Sequence, residues 1–425
     1  MVPINREEEW VFIVKFKITN LVEGYLSTLS FLLNPLLGSA FAIRGVGRNS
    51  YFSIIIVSLL LSLMAFIMKP YVGWDIVRYY DYYNSGEVRV NTFASYFFDI
   101  GTISVIIDFM AYAGIKKEFI PTLSTFIQYF GIFTATHLAL RTYLPNNKKI
   151  NYYFYLLAFF SSSFIASASG VRNGASLGFF ILGYYLFFEN KKKTSYILFF
   201  LASLMHFFVL IPIVLMLTNK IWSMISIKLY KIVLVVTMLF AFIGISNLMI
   251  TSIFIVMKPL LLAINMYKVD YVIAGQYSAF IAKDLYDIVL RILTLLPLML
   301  ISVLIIKIKK TEKEAIFIYQ MMILCFLFSG MNTLFNRYSI LTELVCAIFM
   351  IKKIAVDKYG LKINMLYMLI LLALIFSCIK PLGQYRGIYI PSWSQLLTKT
   401  TIQMLDSSIT PKDYIPAETS SIRGL

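Results

Sequence analysis

Long apolar runs separated by short polar turns recur along the whole chain. A run of about 20 apolar residues is the length that an α-helix needs to cross a bilayer. The pattern therefore predicts an all-α, polytopic integral membrane protein that forms one transmembrane domain over residues 1–425. We expect about twelve crossings with both termini outside, over 23–43, 51–68, 119–143, 150–169, 173–189, a broken pair across 194–219, 229–247, 285–306, 314–331, 336–351 and 364–380.

Four segments depart from this regular pattern. Residues 93–115 carry Asp99 and Asp108 on an apolar helical pattern, which is typical of an amphipathic helix on the outer surface. Pro212 is the expected break within 194–219. We expect 249–284 to be a re-entrant or surface piece, and 381–425 to be an outer tail whose fold the sequence does not predict.

Composition and charge support this interpretation. The chain is 60% hydrophobic and 14% charged, whereas a soluble domain is about one quarter charged. Half of the 38 basic residues, but only four of the 21 acidic ones, fall in six short loops between the predicted spans. Such loops are cytoplasmic by the positive-inside rule. The net charge of +17 is thus a topology signal, and binding to nucleic acid is not needed to explain it.

With the basic loops inside, four groups of polar residues are expected at the outer ends of the spans. They are Asp75, Arg78, Tyr79 and Asp81 in the first outer loop; Arg172 and Asn173 between Gly170 and Gly174; His206 at the turn of the broken pair; and residues 332–337, with Arg337 and Tyr338 opening a span. Charged residues at membrane depth are costly and usually functional. Their agreement on one side predicts a site for a polar substrate that the membrane delivers.

These residue types suit glycosyl transfer from a lipid diphosphate. Arginine binds diphosphates by paired, charge-assisted hydrogen bonds, and a carboxylate or histidine can accept the proton of an attacking hydroxyl. We predict Asp75 as the catalytic base, with His206 as second choice. The predicted substrate-binding residues are Arg78, Tyr79, Asp81, Arg172, Asn173, Arg337 and Tyr338. No metal and no cofactor is predicted, because the chain has two histidines and lacks an Asp-x-Asp pair and a Gly-x-x-x-x-Gly-Lys phosphate loop.

Each candidate also has a structural interpretation. Asp75 can be a solvated loop acid, Arg172 an interfacial arginine whose head snorkels to water, and His206 a satisfied core histidine. Arg78 and Asp81 can simply support each other.

Several of these residues resemble a known family. Gly73-x-Asp75 followed by tyrosines, Arg172 opening a helix, the turn Lys191 to Lys193, and His206 after a Phe-rich run resemble the EpsG family of polysaccharide polymerases over about 23–395. That family is similar to Wzy-type O-antigen polymerases and is grouped with GT-C glycosyltransferases. The chain departs from its pattern at Asn173, where glutamine is usual, and at Phe208, where serine is usual.

The resemblance implies a GT-C-like enzyme of the bacterial inner membrane with its site on the outer face. Its substrate would be an undecaprenyl-diphosphate-linked oligosaccharide, and the growing chain would move onto the next repeat unit of an O-antigen or exopolysaccharide. Membrane lipids, and a chain-length regulator, are the partners that such a role allows.

Two other classes stay open. A transporter or flippase of the same lipid-linked oligosaccharide should show internal repeats and charges deep within several spans. An acyl- or phosphoryl-transferase should show a second histidine near the site or a Ser-x-x-His pair. The sequence favours the polymerase because its polar residues gather at one face.

Overall fold

The computed structural model describes residues 24–72, 74–86, 101–144, 147–246, 285–307, 313–356, 365–384 and 392–415, with a few further single positions and pairs. The described part is helical and contains no strand; its one isolated β-bridge joins Tyr71 to Ile415. The all-α fold class is therefore confirmed. The predicted re-entrant or surface piece at 249–284 lies almost entirely outside the described residues. So does the first part, 93–100, of the surface helix predicted over 93–115.

The helices of the first half are α1 (Gly24–Leu33), α2 (Pro35–Gly47), α3 (Tyr51–Phe66), α4 (Asp75–Ser85), α5 (Gly101–Tyr112), α6 (Phe119–Tyr143), α7 (Lys148–Ser161), α8 (Phe164–Ser169) and α9 (Val171–Phe188). The later helices are α10 (Lys192–Met205), α11 (Leu210–Leu217), α12 (Asn219–Trp222), α13 (Ile227–Ile243), α14 (Leu285–Ile306), α15 (Lys313–Leu327), α16 (Asn332–Val356), α17 (Met365–Gln384), α18 (Gln395–Thr398) and α19 (Thr401–Asp406). Short 3₁₀ turns lie at Phe207–Val209, Phe328–Gly330 and Pro411–Asp413.

Two predicted spans are each divided into two helices. The span at 23–43 breaks at Asn34, whose side chain accepts a hydrogen bond from the Leu37 amide at 3.0 Å and so caps α2, with Pro35 at its first position. The span at 150–169 breaks at Ser162, which has extended backbone angles. A polar cap inside an apolar run leaves the hydropathy almost unchanged, so the pattern did not reveal either break.

The break within 194–219 lies at His206 and not at Pro212. His206 has extended backbone angles, and its Nδ1 accepts a hydrogen bond from the Phe208 amide at 3.2 Å, which starts the 3₁₀ turn. Pro212 is the third residue of α11. In the first turn of a helix the missing N–H of proline has no intrahelical partner to lose, and it is tolerated there.

Close helix packing surrounds α9, which contacts α6, α10 and α16. Gly131 of α6 and Gly178 of α9 face each other so closely that a Cβ on Gly178 would lie 2.7 Å from the Cα of Gln128. Small residues at such crossings are usual between membrane helices, since they let two backbones approach. The contact holds the middle of α9 beside the middle of α6.

A buried ionic cluster marks one end of this bundle. Lys352 Nζ lies 3.0 Å from a carboxylate oxygen of Glu189 and 3.1 Å from one of Glu314. Tyr143 and Tyr184 each donate a 2.7 Å hydrogen bond, to Glu189 and to Glu314 respectively. The C-terminal ends of α6, α9 and α16 and the N-terminal end of α15 meet here. The sequence predicts a basic loop next to each of these four ends.

Two helical stretches in the described part are each long and apolar enough to cross a membrane, Lys313–Gly330 and Thr333–Ala355. Shorter apolar helices accompany them, at Gly24–Leu33, Tyr51–Phe66, Gly101–Tyr112, Phe207–Leu217, Ile292–Ile306 and Met365–Cys378. The total of twelve crossings and the GT-C likeness remain predictions.

Helix α5, the described part of the predicted surface helix, packs on α4. Its buried residues include Ile103, Ile107 and Met110, and its exposed ones include Val105, Phe109 and Tyr112. Asp108 accepts a 2.8 Å hydrogen bond from the Tyr82 hydroxyl and so faces α4. The exposed face is therefore apolar, which differs from an amphipathic helix that turns its charges to water; Asp99 lies outside the described residues.

The tail folds back onto the end opposite the ionic cluster. The Ile415 amide donates to the Pro70 carbonyl at 3.0 Å, and the Val72 amide donates to the Ile415 carbonyl at 3.1 Å. Lys116 reaches the carbonyl of Asp406 at 2.8 Å. The residues just before α4 are thus held by a segment more than 300 positions away in sequence.

Candidate active site

A cavity of about 470 Å³ lies where α4, α6, α9 and α16 meet the break after α10. Its walls come from residues that are far apart in sequence. They are Trp74, Asp75, Gln128, Ser163, Ser169, Gly170, Asn173, Gly174, Leu177, Phe208, Thr333, Asn336, Arg337 and Ile340. Three of the four polar groups that the sequence placed on one side, those around Asp75, Asn173 and Arg337, therefore line a single cavity.

Asp75 is the first residue of α4. A carboxylate at this position is stabilised by the positive end of the helix dipole, so part of its role is structural. It forms an ion pair with Arg78, one turn further along the same helix. Arg78 itself is largely exposed, with 67% of its side chain accessible. The carboxylate thus reaches the cavity while its partner faces outward.

Tyr79 connects α4 to α9. Only 2% of this residue is exposed, and the Arg172 guanidinium donates a hydrogen bond to its hydroxyl. Burial raises the pKa of Tyr79 above its usual value, while the charge of Arg172 and this hydrogen bond oppose the rise. The phenol therefore stays neutral and holds the guanidinium of Arg172, the residue just before the cavity-lining Asn173.

The first turn of α9 forms one wall. Gly170 caps the helix, and Asn173 and Gly174 follow in its first turn. The amides of Asn173 and Gly174 donate to the Gly170 carbonyl at 2.8 and 3.2 Å, and the positive end of the helix dipole attracts anions. Within the described part of the chain, the Asn173 Oδ1 atom is buried without a hydrogen-bond partner. This wall therefore offers an acceptor, and a helix N-terminus, to a bound molecule.

Gly174 has no room for a side chain. A Cβ there would lie 2.7 Å from Ser124 Oγ and 2.8 Å from Gln128 Oε1. The same Gln128 oxygen accepts a hydrogen bond from Ser167, which fixes the amide between α6 and α8. The floor of the cavity is thus built by polar atoms that hold one another in place.

Helix α16 supplies the opposite wall. Thr333, Arg337 and Ile340 recur at helical spacing, so they share one face, with Asn336 beside them. Because α16 begins at Asn332, Arg337 lies in its second turn and does not open the helix as the sequence suggested.

Tyr338, next to Arg337, is 1% exposed and is not among the cavity-lining residues. Its hydroxyl donates to the Phe208 carbonyl at 2.8 Å, and its ring packs 4.8 Å from that of Phe328. It joins α16 to the helix break after α10, so its contacts are those of a residue that positions the wall.

Six of the nine predicted residues are not among those that line the cavity: Arg78, Tyr79, Asp81, Arg172, His206 and Tyr338. His206 is 3% exposed and caps the 3₁₀ turn, and its neighbour Phe208 is the residue that reaches the wall. Asp81 is exposed on α4, on the side of Tyr414.

Gln128 and the hydroxyls of Ser163 and Ser169 were missed by the sequence reasoning. Gln128 is 2% exposed within an otherwise apolar span. A buried amide at membrane depth is itself a signal, because such groups are costly unless they bind something. In the described residues, no group of three or more His, Cys, Asp or Glu side chains could hold a metal ion.

A comparison with protein families decides the classification. The model of the EpsG family matches residues 49–386, which is most of the chain. The chain belongs to the EpsG family. This is a family of polysaccharide polymerase-like membrane proteins. No curated protein and no solved structure matches the chain with significant similarity.

The EpsG match includes every residue that lines the cavity, from Trp74 to Ile340. Helix α2 and the docked tail at 392–415 lie outside it. The family-wide part of the fold thus carries the cavity, and the tail that braces it lies beyond the matched region.

Proposed function

We propose that this EpsG-family protein is a glycosyltransferase that polymerises a bacterial surface polysaccharide. It would act at the outer face of the inner membrane on repeat units linked to undecaprenyl diphosphate. The observation that carries the proposal is the convergence of Asp75, Asn173 and Arg337 on one cavity, next to Arg172 and a helix N-terminus.

The positive wall suits the lipid diphosphate. Arg337 lines the cavity, and Arg172 lies between the lining residues Gly170 and Asn173 in sequence and is hydrogen-bonded to Tyr79. Two guanidinium groups and the first turn of α9 can share the charge of a diphosphate leaving group. Stabilising the charge that develops on a leaving group is a large contribution to catalysis in water-poor sites.

The remaining lining suits sugar rings. Trp74 offers a flat aromatic face at one wall. Asn173, Gln128 and Asn336 supply amides that can exchange hydrogen bonds with hydroxyl groups. An apolar pocket for a fatty chain would not need these groups.

Asp75 is the proposed general base. A hydroxyl of the incoming repeat unit attacks the anomeric carbon of the growing chain, and Asp75 accepts the hydroxyl proton. The bond between that carbon and the diphosphate oxygen breaks, and undecaprenyl diphosphate leaves with the electron pair. His206 stays the second candidate for the base, and its buried position at the helix break makes it the less accessible of the two.

Reconstituted vesicles with a synthetic lipid-linked repeat unit test the proposal. Arg172→Ala and Arg172→Lys should both leave single repeat units in place of long chains, since lysine cannot replace the paired hydrogen bonds of arginine. Asp406→Asn, in the exposed tail, is the control for effects of expression and reconstitution, and it should make chains of normal length. If Arg172→Ala makes chains of normal length at a normal protein level, then Arg172 does not bind the diphosphate.

The same assay separates the two bases. Loss of a general base costs about 10²–10⁴ in rate without abolishing binding. Asp75→Asn should therefore bind the lipid substrate but not extend chains, and His206→Ala should lose less. A flippase would move the labelled lipid across the vesicle membrane without any elongation. That result would contradict the polymerase and favour a flippase.

A further inference from the structure

A second cavity lies on the side of the bundle, near the end that carries the basic loops. It measures about 330 Å³ and is bounded by α11, the turn after it, α13 and α15. Its lining includes Ile211 of α11, Trp222 beside the turn, Leu229 and Val233 of α13, and Gln320 and Leu327 of α15. We name it the lateral groove. Its lining follows α15 from Gln320 to Leu327, which is roughly 10 Å along the helix axis.

The walls of the lateral groove are apolar except at one point. Gln320 is 8% exposed, and its Oε1 atom is buried without a hydrogen-bond partner among the described residues. Its Nε2 atom lies 3.4 Å from the Tyr230 hydroxyl, which in turn donates to the Trp222 carbonyl at 3.1 Å. This chain of contacts places the vacant acceptor at the level of the turn between α11 and α13.

The turn and the start of α13 are basic. Lys220, Lys228 and Lys231 lie on the segments that enclose this end of the groove, and residues 190–246 contain no Asp or Glu. Trp222 is partly exposed at the same end. Tryptophan and lysine together at a helix end are typical of the level of lipid headgroups. The groove therefore presents positive charge at its mouth and apolar walls behind it.

We propose that the lateral groove binds an anionic phospholipid with hydroxyl groups in its headgroup, such as phosphatidylglycerol. One acyl chain lies along α13 and α15, the lysines attract the phosphate, and a headgroup hydroxyl donates to Gln320 Oε1. The site is separate from the cavity that holds Asp75 and Arg337, because the two cavities share no lining residue.

Photo-crosslinking in nanodiscs tests this site. The full chain is reconstituted with a small fraction of phosphatidylglycerol that carries a diazirine in one acyl chain, or with the matching phosphatidylcholine. Labelled peptides are then identified by mass spectrometry. We expect labelling of residues 211–233 and 320–327 to be stronger with phosphatidylglycerol. Lys220→Ala and Lys228→Ala should each lower it roughly five-fold, the contribution of one basic residue near an anionic headgroup.

Matched variants separate this site from general lipid contact. Leu229→Trp fills the groove, whereas Ile232→Trp places the same ring on an exposed position of the same helix outside it. Lys193→Ala removes an exposed lysine from another basic turn. We expect Leu229→Trp to abolish the preferred labelling and both controls to retain it.

Gln320→Leu should reduce the preference for phosphatidylglycerol over phosphatidic acid, which lacks the glycerol alcohols of the headgroup. Equal labelling by phosphatidylglycerol and phosphatidylcholine would overturn the proposal, since lipid would then contact this face without recognition. Displacement of the probe by a polyprenyl phosphate, regardless of the lysines, would overturn it in favour of a polyprenyl chain.

Discussion

Lys69 Nζ lies 2.8 Å from Asp413 Oδ1, although 344 positions separate the two residues in the chain. The pair sits beside the backbone contacts that join Ile415 to Pro70 and Val72. Trp74 and Asp75 follow directly and form one wall of the candidate active site. The docked tail therefore braces the segment that delivers the proposed base.

The Lys69–Asp413 pair predicts an acid-sensitive tail. The hydrogen bond from Lys69, together with two from Thr410, lowers the pKa of Asp413 from its usual 3.8 to about 2. A carboxyl pKa that is lower in the folded state stabilises the fold above the ordinary pKa, and this contribution disappears as the pH falls through the folded value. Docking should therefore weaken between about pH 4 and pH 2.

Thermal unfolding in detergent, measured from pH 5 downward, checks this prediction. The wild-type midpoint should exceed that of Asp413→Asn at pH 5, and the two should converge near pH 2. Asp406→Asn, which removes a 92% exposed carboxylate on the same tail, should track the wild type. A constant difference between wild type and Asp413→Asn across this range would contradict the assignment.

Tyr79→Phe should impair chain extension while it preserves the fold. The ring packs in a cluster with Ile76, Ile103 and Val171, which phenylalanine can keep. The lost hydroxyl is the partner that orients Arg172. A hydrogen bond to a charged group is worth about 1.5–3 kcal/mol, so we expect a loss of roughly ten- to a hundredfold in polymerisation rate.

Tyr82→Phe is the matched control on α4, because its hydroxyl donates to Asp108 of α5. It should leave the rate near the wild-type value. If both variants slow polymerisation equally at the same melting temperature, the effect comes from α4 as a whole and not from the arginine contact.

The sequence predicted uninterrupted helices well and broken ones poorly. Helix α6 has the predicted bounds of 119–143 and α14 those of 285–306, because each is one continuous apolar run. The breaks at Asn34 and Ser162 depend on single polar residues. Asn34 also donates to the Leu396 carbonyl at 3.1 Å, a contact that no local pattern can reveal.

The candidate site shows the same division. Asp75, Asn173 and Arg337 could be grouped from sequence because charge asymmetry placed their loops on one side, and the cavity does bring them together. Gln128 could not be assigned, since its role depends on Ser167 and on the glycine contact between α6 and α9. The catalytic role of Asp75 and the substrate-binding roles of Asn173 and Arg337 remain predictions.

Gly178→Ala should destabilise the protein. The added methyl group would meet the backbone of Ile127 and Gln128, which cannot move aside as a side chain can, so α6 and α9 must separate. Overpacking of this kind typically costs about 1–3 kcal/mol. Gly183→Ala, which meets the side chains of Phe199 and Leu198, should lower the melting temperature less. Equal stability of Gly178→Ala and wild type would show that the crossing is looser than described.

Lys352→Met should be among the most damaging single changes at the basic end of the bundle. The lysine side chain is 11% exposed and pairs with both Glu189 and Glu314, so its removal leaves two carboxylates, 20% and 13% exposed, without this counter-charge. Breaking such a pair from one side typically costs 3–5 kcal/mol. Lys193→Met, at an exposed position of the neighbouring turn, should cost little.

Adding Glu189→Gln and Glu314→Gln to Lys352→Met should recover part of the melting temperature, because uncharged amides need no counter-ion. If the triple variant is less stable than Lys352→Met, the cluster stabilises the fold through its hydrogen bonds from Tyr143 and Tyr184 and not through charge.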